Sequence, residues 1–280
     1  MIVVTGATGN VGRPLVAELA RRGHEVTAVS RAGTAPHAEA RVRGLSADLA
    51  DPGSLRAAVT GASAMFLLVP GSGEHLDTER IIGTAAQAGV RRLVLLSSLG
   101  AATRADSVSH GPLARLEKLV RGSGLEWTVL RPGDFASNAL AWVPSVRAER
   151  TVHAPFGDVA LPAVDPLDIA EVAAAALVDD GHAGRTYALT GAAAVSPRDR
   201  TRALAEVLGT PLVFAEQTRE QARADMLAYI PEHVVDGTLA ILGEPTPQEQ
   251  AVSPDVETVL GRPARTFADW ARRNAAAFAG

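Results

Sequence analysis

Cysteine is absent from all 280 residues, which removes disulfides, thiolate metal sites and a thiolate nucleophile together. Positive charge is not in excess either. Acidic and basic residues are interspersed and the formal charge is -4, so no field gathers phosphate backbone or anionic lipid. Neither nucleic acid nor a membrane is expected as a partner. Long apolar runs are missing too: the stretch Ala170 to Val178 is Ala-rich, interrupted by Glu171 and closed by Asp179-Asp180, well short of a bilayer span. The chain opens straight into a strand pattern, Met1-Ile2-Val3-Val4-Thr5-Gly6, with no basic and apolar leader, so a cytoplasmic location is expected. No spacing of ligand residues suggests a metal site.

Hydrophobic residues make up 47% of the chain, too many for a disordered polymer and ordinary for a globular enzyme. Short β-branched or apolar runs at 2–5, 25–30, 44–47, 64–69, 93–97 and 127–130 alternate with helical periodicity. Runs such as Met65-Phe66-Leu67-Leu68-Val69 are apolar without alternation, as parallel strands covered on both faces require. The expected fold is therefore α/β: a Rossmann, doubly wound parallel sheet with helices on both faces. Val11, Leu15, Val16 and Leu19 mark the apolar face of the first helix, and Asp51-Pro52 is expected to open a later one. After Arg131-Pro132-Gly133 this grammar loosens. Residues 1–133 are expected to form the dinucleotide-binding core and 134–280 a smaller, partly interleaved portion that covers the substrate.

The segment Gly6-Ala7-Thr8-Gly9-Asn10-Val11-Gly12 follows the first strand and opens the first helix, the arrangement that receives a pyrophosphate. Gly6 permits the tight turn, Gly9 the approach of phosphate to backbone, and Gly12 close packing of helix on strand. Thr8 and Asn10 add side-chain donors. At the end of the second strand, where an acidic residue would grip a ribose 2′-hydroxyl, the chain has Ser30-Arg31, which suits a 2′-phosphate. NADPH is expected as the preferred cofactor, with NADH the alternative. Asp48 reads equally as an acceptor for the adenine amino group and as a turn aspartate.

Beyond the glycine turn, the chain carries Asp48-Leu49, Leu67-Leu68-Val69-Pro70, Ser97-Ser98-Leu99-Gly100 and Trp127-Thr128-Val129-Leu130-Arg131-Pro132. With Val164-Asp165-Pro166-Leu167-Asp168-Ile169-Ala170 and Tyr187-Ala188-Leu189-Thr190-Gly191, these resemble the NmrA-like, atypical short-chain dehydrogenase/reductase family. Its members include NAD(P)H quinone reductases and redox-sensing regulators. The resemblance implies that Leu49, Leu68, Val69, Pro70, Ser97 and Pro132 border the cofactor, and that Asp134, Phe135 and Asn138 face the substrate.

The wider superfamily pairs a tyrosine acid with a lysine four residues on. By that resemblance the two positions fall on Ser109 and Leu113, neither of which protonates an alkoxide near neutral pH. The only tyrosines are downstream: Tyr187 in a strand pattern that reads as packing, and Tyr229, a candidate for the substrate cap near His233. His110 is the candidate proton donor, although its segment also reads as an exposed helix entrance. Ser97 and Ser98 are candidates to bond a substrate oxygen or the nicotinamide carboxamide. Asp165 and Asp168 flank Pro166 and read as a helix start.

Hydride transfer to an electron-poor acceptor survives the loss of the dyad, because a reduced quinone is a stabilised anion that water protonates. An NADPH-dependent oxidoreductase is thus expected, acting on a small molecule such as a quinone or an aromatic or polyketide-like carbonyl. A homo-oligomer is compatible with this reading. The alternative is a non-catalytic NADP(H) sensor acting through a protein partner.

Overall fold

The computed structural model describes residues 1–33, 41–229 and 231–279. Nine strands occur in chain order among them: β1 Ile2–Thr5, β2 Val26–Ser30, β3 Val42–Ser46, β4 Ala64–Leu68, β5 Arg92–Leu96, β6 Glu126–Pro132, β7 Thr151–Pro155, β8 Arg185–Leu189 and β9 Val213–Gln217. Seven form one sheet in the order β3-β2-β1-β4-β5-β6-β8, every neighbouring pair parallel. The Rossmann architecture expected from the sequence is present.

Burial on both faces explains the unalternating strands. In β1, Val4 packs with Val11, with Leu15, Val16 and Leu19 of the helix Gly12–Arg21 and with the helix Pro166–Val178. Val3, Met65, Leu67, Leu93 and Leu95 point the other way, against Leu55, Ile81, Leu116 and Val120. The Ala-rich stretch is the helix Pro166–Val178, buried nearly all round, whose small side chains let it lie against the sheet.

One boundary differs from expectation, and the sheet draws on later residues. The sheet does not stop at residue 133: it takes its last strand from β8 and its crossover from Pro166–Val178, which cover the edge that β6 would otherwise leave unpaired. Asp51-Pro52 does not open a helix. The Asp51 carboxylate instead accepts the Gly53 N–H, Ser54 donates its hydroxyl to the Asp51 carbonyl, and the helix begins later, at Arg56–Val59.

The remaining residues build a cover. Its small parallel sheet pairs β7 with β9. A separate core forms around Val146, Leu204, Phe267, Trp270 and Phe278. Four of its helices start with capping boxes, at Ser196 with Asp199, Thr218 with Gln221, Thr246 with Glu249 and Thr266 with Asp269. No helix among the described residues is long and apolar enough to cross a membrane.

Candidate active site

Between β1 and the helix Gly12–Arg21 the backbone turns on Gly6, at φ +63°, where an L side chain is strained. A Cβ on Gly12 would lie 2.1 Å from the Gly6 carbonyl oxygen, so the close approach of helix and strand requires glycine there. Gly9 is exposed, and a Cβ on it would meet nothing nearer than the Gly6 oxygen at 3.3 Å; its outer side is open. No side chain caps the helix and no acidic residue stands in its first turn, which leaves a start suited to an anion.

The polar rim agrees. At the end of β2 the Ser30 Oγ is buried with no hydrogen-bond partner among the described residues, beside exposed Arg31. An orphaned hydroxyl and a guanidinium with no carboxylate paired to it among the described residues fit a phosphorylated ribose. Asp48 is a turn residue in this fold, its carboxylate accepting the Ala50 N–H, while Leu49 is buried in the core. With the glycine cradle, these residues fit a dinucleotide.

Beyond the carboxyl ends of β1, β4 and β5 lies a cavity of about 230 Å³ lined by Asn10, Val11, Leu68, Val69, Gly71, Leu96, Ser97, Leu113 and Phe135. Such a crevice at the switch in strand order is where ligands of open α/β sheets bind. Thr5 holds one wall, its Oγ1 accepting the Leu68 N–H at 2.8 Å. Asn10 donates to Ser137 Oγ at 3.3 Å and so ties the glycine turn to the cover.

The expected site residues separate into three groups. Asn10, Val11, Leu68, Val69, Ser97 and Phe135 meet at the cavity, joined by Leu113. Pro132 is buried behind it and Pro70 exposed at its edge. Ser98 is occupied locally, accepting the Gly100 N–H at the start of the helix Gly100–Thr103. Asp134, Asn138, Tyr229 and His110 are absent from the lining. Asp134 forms an ion pair at 2.6 Å with buried Arg200 and accepts from exposed Asn138. Tyr229 is 89% exposed.

His110 lies against Gly100, with its Nδ1 2.9 Å from Ser109 Oγ. Burial pushes its pKa below the ordinary histidine value, against a smaller upward pull from Glu249 and with Arg104 acting in the same direction as burial. Ser109 is itself buried under the helix Glu232–Gly243: a Cβ on Gly237 would fall 2.3 Å from its Oγ.

One group was not anticipated. Glu117, 1% exposed on the helix Gly111–Arg121, accepts the Ser97 hydroxyl at 2.6 Å and a two-pronged contact from Arg131, with Arg121 as a third partner. Burial would raise its carboxyl, but the hydrogen bonds from Arg131 and Ser97 and the charge of Arg131 hold it below the usual carboxylate range. Its sequence signal is the four-residue step from Leu113, which sets both on one helix face.

Comparison with known proteins places this geometry. A family described as NAD(P)H-binding matches residues 6–180. Over the full chain, 38% of residues are identical to a (4-alkanoyl-5-oxo-2,5-dihydrofuran-3-yl)methyl phosphate reductase of Streptomyces griseus, covering 100% of this chain and 99% of that protein. An NAD(P)H azoreductase of Xenophilus azovorans is 33% identical, covering 99% of each. The fold superposes on an NADPH-dependent quinone oxidoreductase of Escherichia coli in complex with NADPH, with TM-score 0.82 at 23% identity, covering 98% of this chain and 99% of that one. The class is thus an NAD(P)H-dependent oxidoreductase built on a Rossmann sheet. This chain belongs to the NAD(P)H-binding family, and it shares its fold with NmrA, a negative transcriptional regulator, at TM-score 0.76 and 20% identity over 97% of this chain and 94% of that one.

Proposed function

We propose that the chain is an NADPH-dependent reductase of electron-poor, conjugated acceptors, quinones and conjugated carbonyl compounds, that works without a side-chain acid. The observation that carries this reading is the cavity lining. Six of its residues are apolar, Val11, Leu68, Val69, Leu96, Leu113 and Phe135, and its polar side chains, Asn10 and Ser97, donate to Ser137 and Glu117. Such a lining lacks a proton source for a basic alkoxide, whereas a delocalised anion takes its proton from water.

Bound cofactor supplies the hydride. The chain's own residues do the rest: the Gly6–Gly12 turn receives the pyrophosphate, Ser30 and Arg31 grip the 2′-phosphate, and Val11, Leu68, Leu113 and Phe135 exclude water from the reacting faces. The name of the Streptomyces griseus relative describes a ring alkene conjugated with a lactone carbonyl and an alkanoyl group, which is the same electronic class.

NADPH oxidation with a panel of quinones, acyl butenolides with and without a phosphate arm, and simple ketones tests the reading. The conjugated acceptors should outpace ketones by ~100-fold or more, the scale of a positioned acid that ketones need. Gly9→Val, whose side chain would stand in the path of the pyrophosphate, is the non-binding control. If the parent binds NADPH yet no acceptor exceeds that control, the reading falls and the dinucleotide sensor replaces it.

A further inference from the structure

The Glu117 carboxylate receives four donors. Oε1 takes the Ser97 hydroxyl at 2.6 Å and Arg131 Nε at 2.9 Å; Oε2 takes Arg131 Nη2 at 2.6 Å and Arg121 Nη2 at 2.8 Å. Two bonds to each oxygen fill the acceptor capacity of a carboxylate, and an ionised carboxylate donates nothing in return. The direction of the Ser97 bond is therefore settled: its single proton points at Glu117. Ser97 stands just past β5, 7% exposed, and is one of the two polar side chains lining the cavity. With its proton committed to Glu117, the oxygen offers the cavity lone pairs only.

We infer that Glu117 is a positioning residue that fixes Ser97 as a hydrogen-bond acceptor, so that the cavity selects a ligand presenting an N–H or O–H donor to that oxygen. This rests on the reading of the cavity as the reduction site. Two ligands bring such a donor: the dinucleotide, through its carboxamide amino group, and the acceptor, through a ring hydroxyl. Ser97 is excluded as an electrophile toward an acceptor carbonyl, a task that would need its proton. The arrangement uses arginine geometry. Arg131 engages both carboxylate oxygens from the end of β6 while Arg121 closes the remaining lone pair, which a lysine could not do in one plane.

The test measures discrimination. By calorimetry, the parent should bind NADP ~3–10-fold tighter than its 3-acetylpyridine analogue, which replaces the amino group by methyl, as expected for one neutral hydrogen bond. If the substrate is the source instead, that ratio is near one and KM for a hydroxylated quinone is lower than for its unhydroxylated counterpart by the same factor. Ser97→Ala should abolish whichever preference exists. Glu117→Gln, whose amide donates to Ser97 and frees the serine proton, should erase or reverse it. Should Glu117→Gln fail to fold, Ser97→Ala alone decides. Absence of both preferences in the parent, or their survival in Ser97→Ala, overturns the inference. Because the NADP arm reads binding, it stands apart from failure of the reductase assay.

Discussion

The sheet layer and the cover are held by different forces. Around β1, β4 and β5 the stabilising groups are apolar: Val3, Val4, Met65, Phe66, Leu67, Leu93 and Leu95 are all fully buried. The cover adds charge to the apolar contact that Val256 makes with the layer's core. Asp168, buried at the start of Pro166–Val178, takes Arg262 at 2.8 Å and the Arg265 backbone N–H at 2.7 Å, with Arg265 also on Glu171. Arg273 meets Asp165, and Arg104 meets Glu249 at 2.8 Å. All but one of the 27 basic residues are arginine, Lys118 being the exception. A planar fork matches a carboxylate from two sides, which suits joints that must be both tight and oriented. The contrast implies that the layer responds to lost volume and the cover to lost charge.

Three changes break or sharpen that contrast. The largest effect is expected from Asp168→Ala, which leaves Arg262 and Arg265 with Glu171 alone and the Arg265 N–H without its acceptor, and should cost ~1.5–3 kcal/mol in urea denaturation. A cost under ~1 kcal/mol would mean that Phe267 and Trp270 packing, not charge, holds the tail. Next is Arg31→Glu, at the rim of the layer, which should weaken NADPH at least ~10-fold in calorimetry while leaving NADH and the melting temperature nearly unchanged. Equal affinities of the parent for the two cofactors would remove Ser30-Arg31 as the selector.

The third effect is set by pH. Burial would raise the Glu249 carboxyl, but Arg104, Thr103 and the Thr246 N–H bring it down to about 2 from an ordinary 4.5. A carboxyl depressed in the folded state contributes its full stability above about 4.5 and loses it as pH falls toward 2. Melting of the parent and of Glu249→Gln should accordingly differ most at pH 6, by roughly half as much near pH 3, and converge only as pH approaches the folded value of about 2. A constant gap would show that Glu249 acts through shape alone.

The sequence already carried most of the layer. Strand starts and ends agree within two residues, since unbroken apolar runs have few alternative placements in an α/β fold. The glycine turn was equally legible, because each glycine answers a local steric demand. Asp51-Pro52 misled because an aspartate two residues before a glycine satisfies a tight turn as well as a helix start. The cover and the charged partners of the cavity were opaque for a different reason. Glu117 reads as a solvated helix carboxylate until strands β5 and β6 bring Ser97 and Arg131 to it, and Asp134 reads as a cleft residue until Arg200 arrives from 66 positions downstream. Pairings of that span have no local pattern.

The contact between Gly237 and Ser109 bears on any attempt to rebuild a conventional ketoreductase from this chain. Swapping tyrosine and lysine into 109 and 113 looks like a two-codon graft. In the rotamer that Ser109 now uses, however, a tyrosine ring would run into the Gly237 backbone, because the cover helix sits as close as a glycine allows. Leu113 is likewise part of an apolar wall, where an ammonium would be stripped of water with no carboxylate beside it in the lining. An engineer would have to move the helix Glu232–Gly243 before placing a larger side chain at 109.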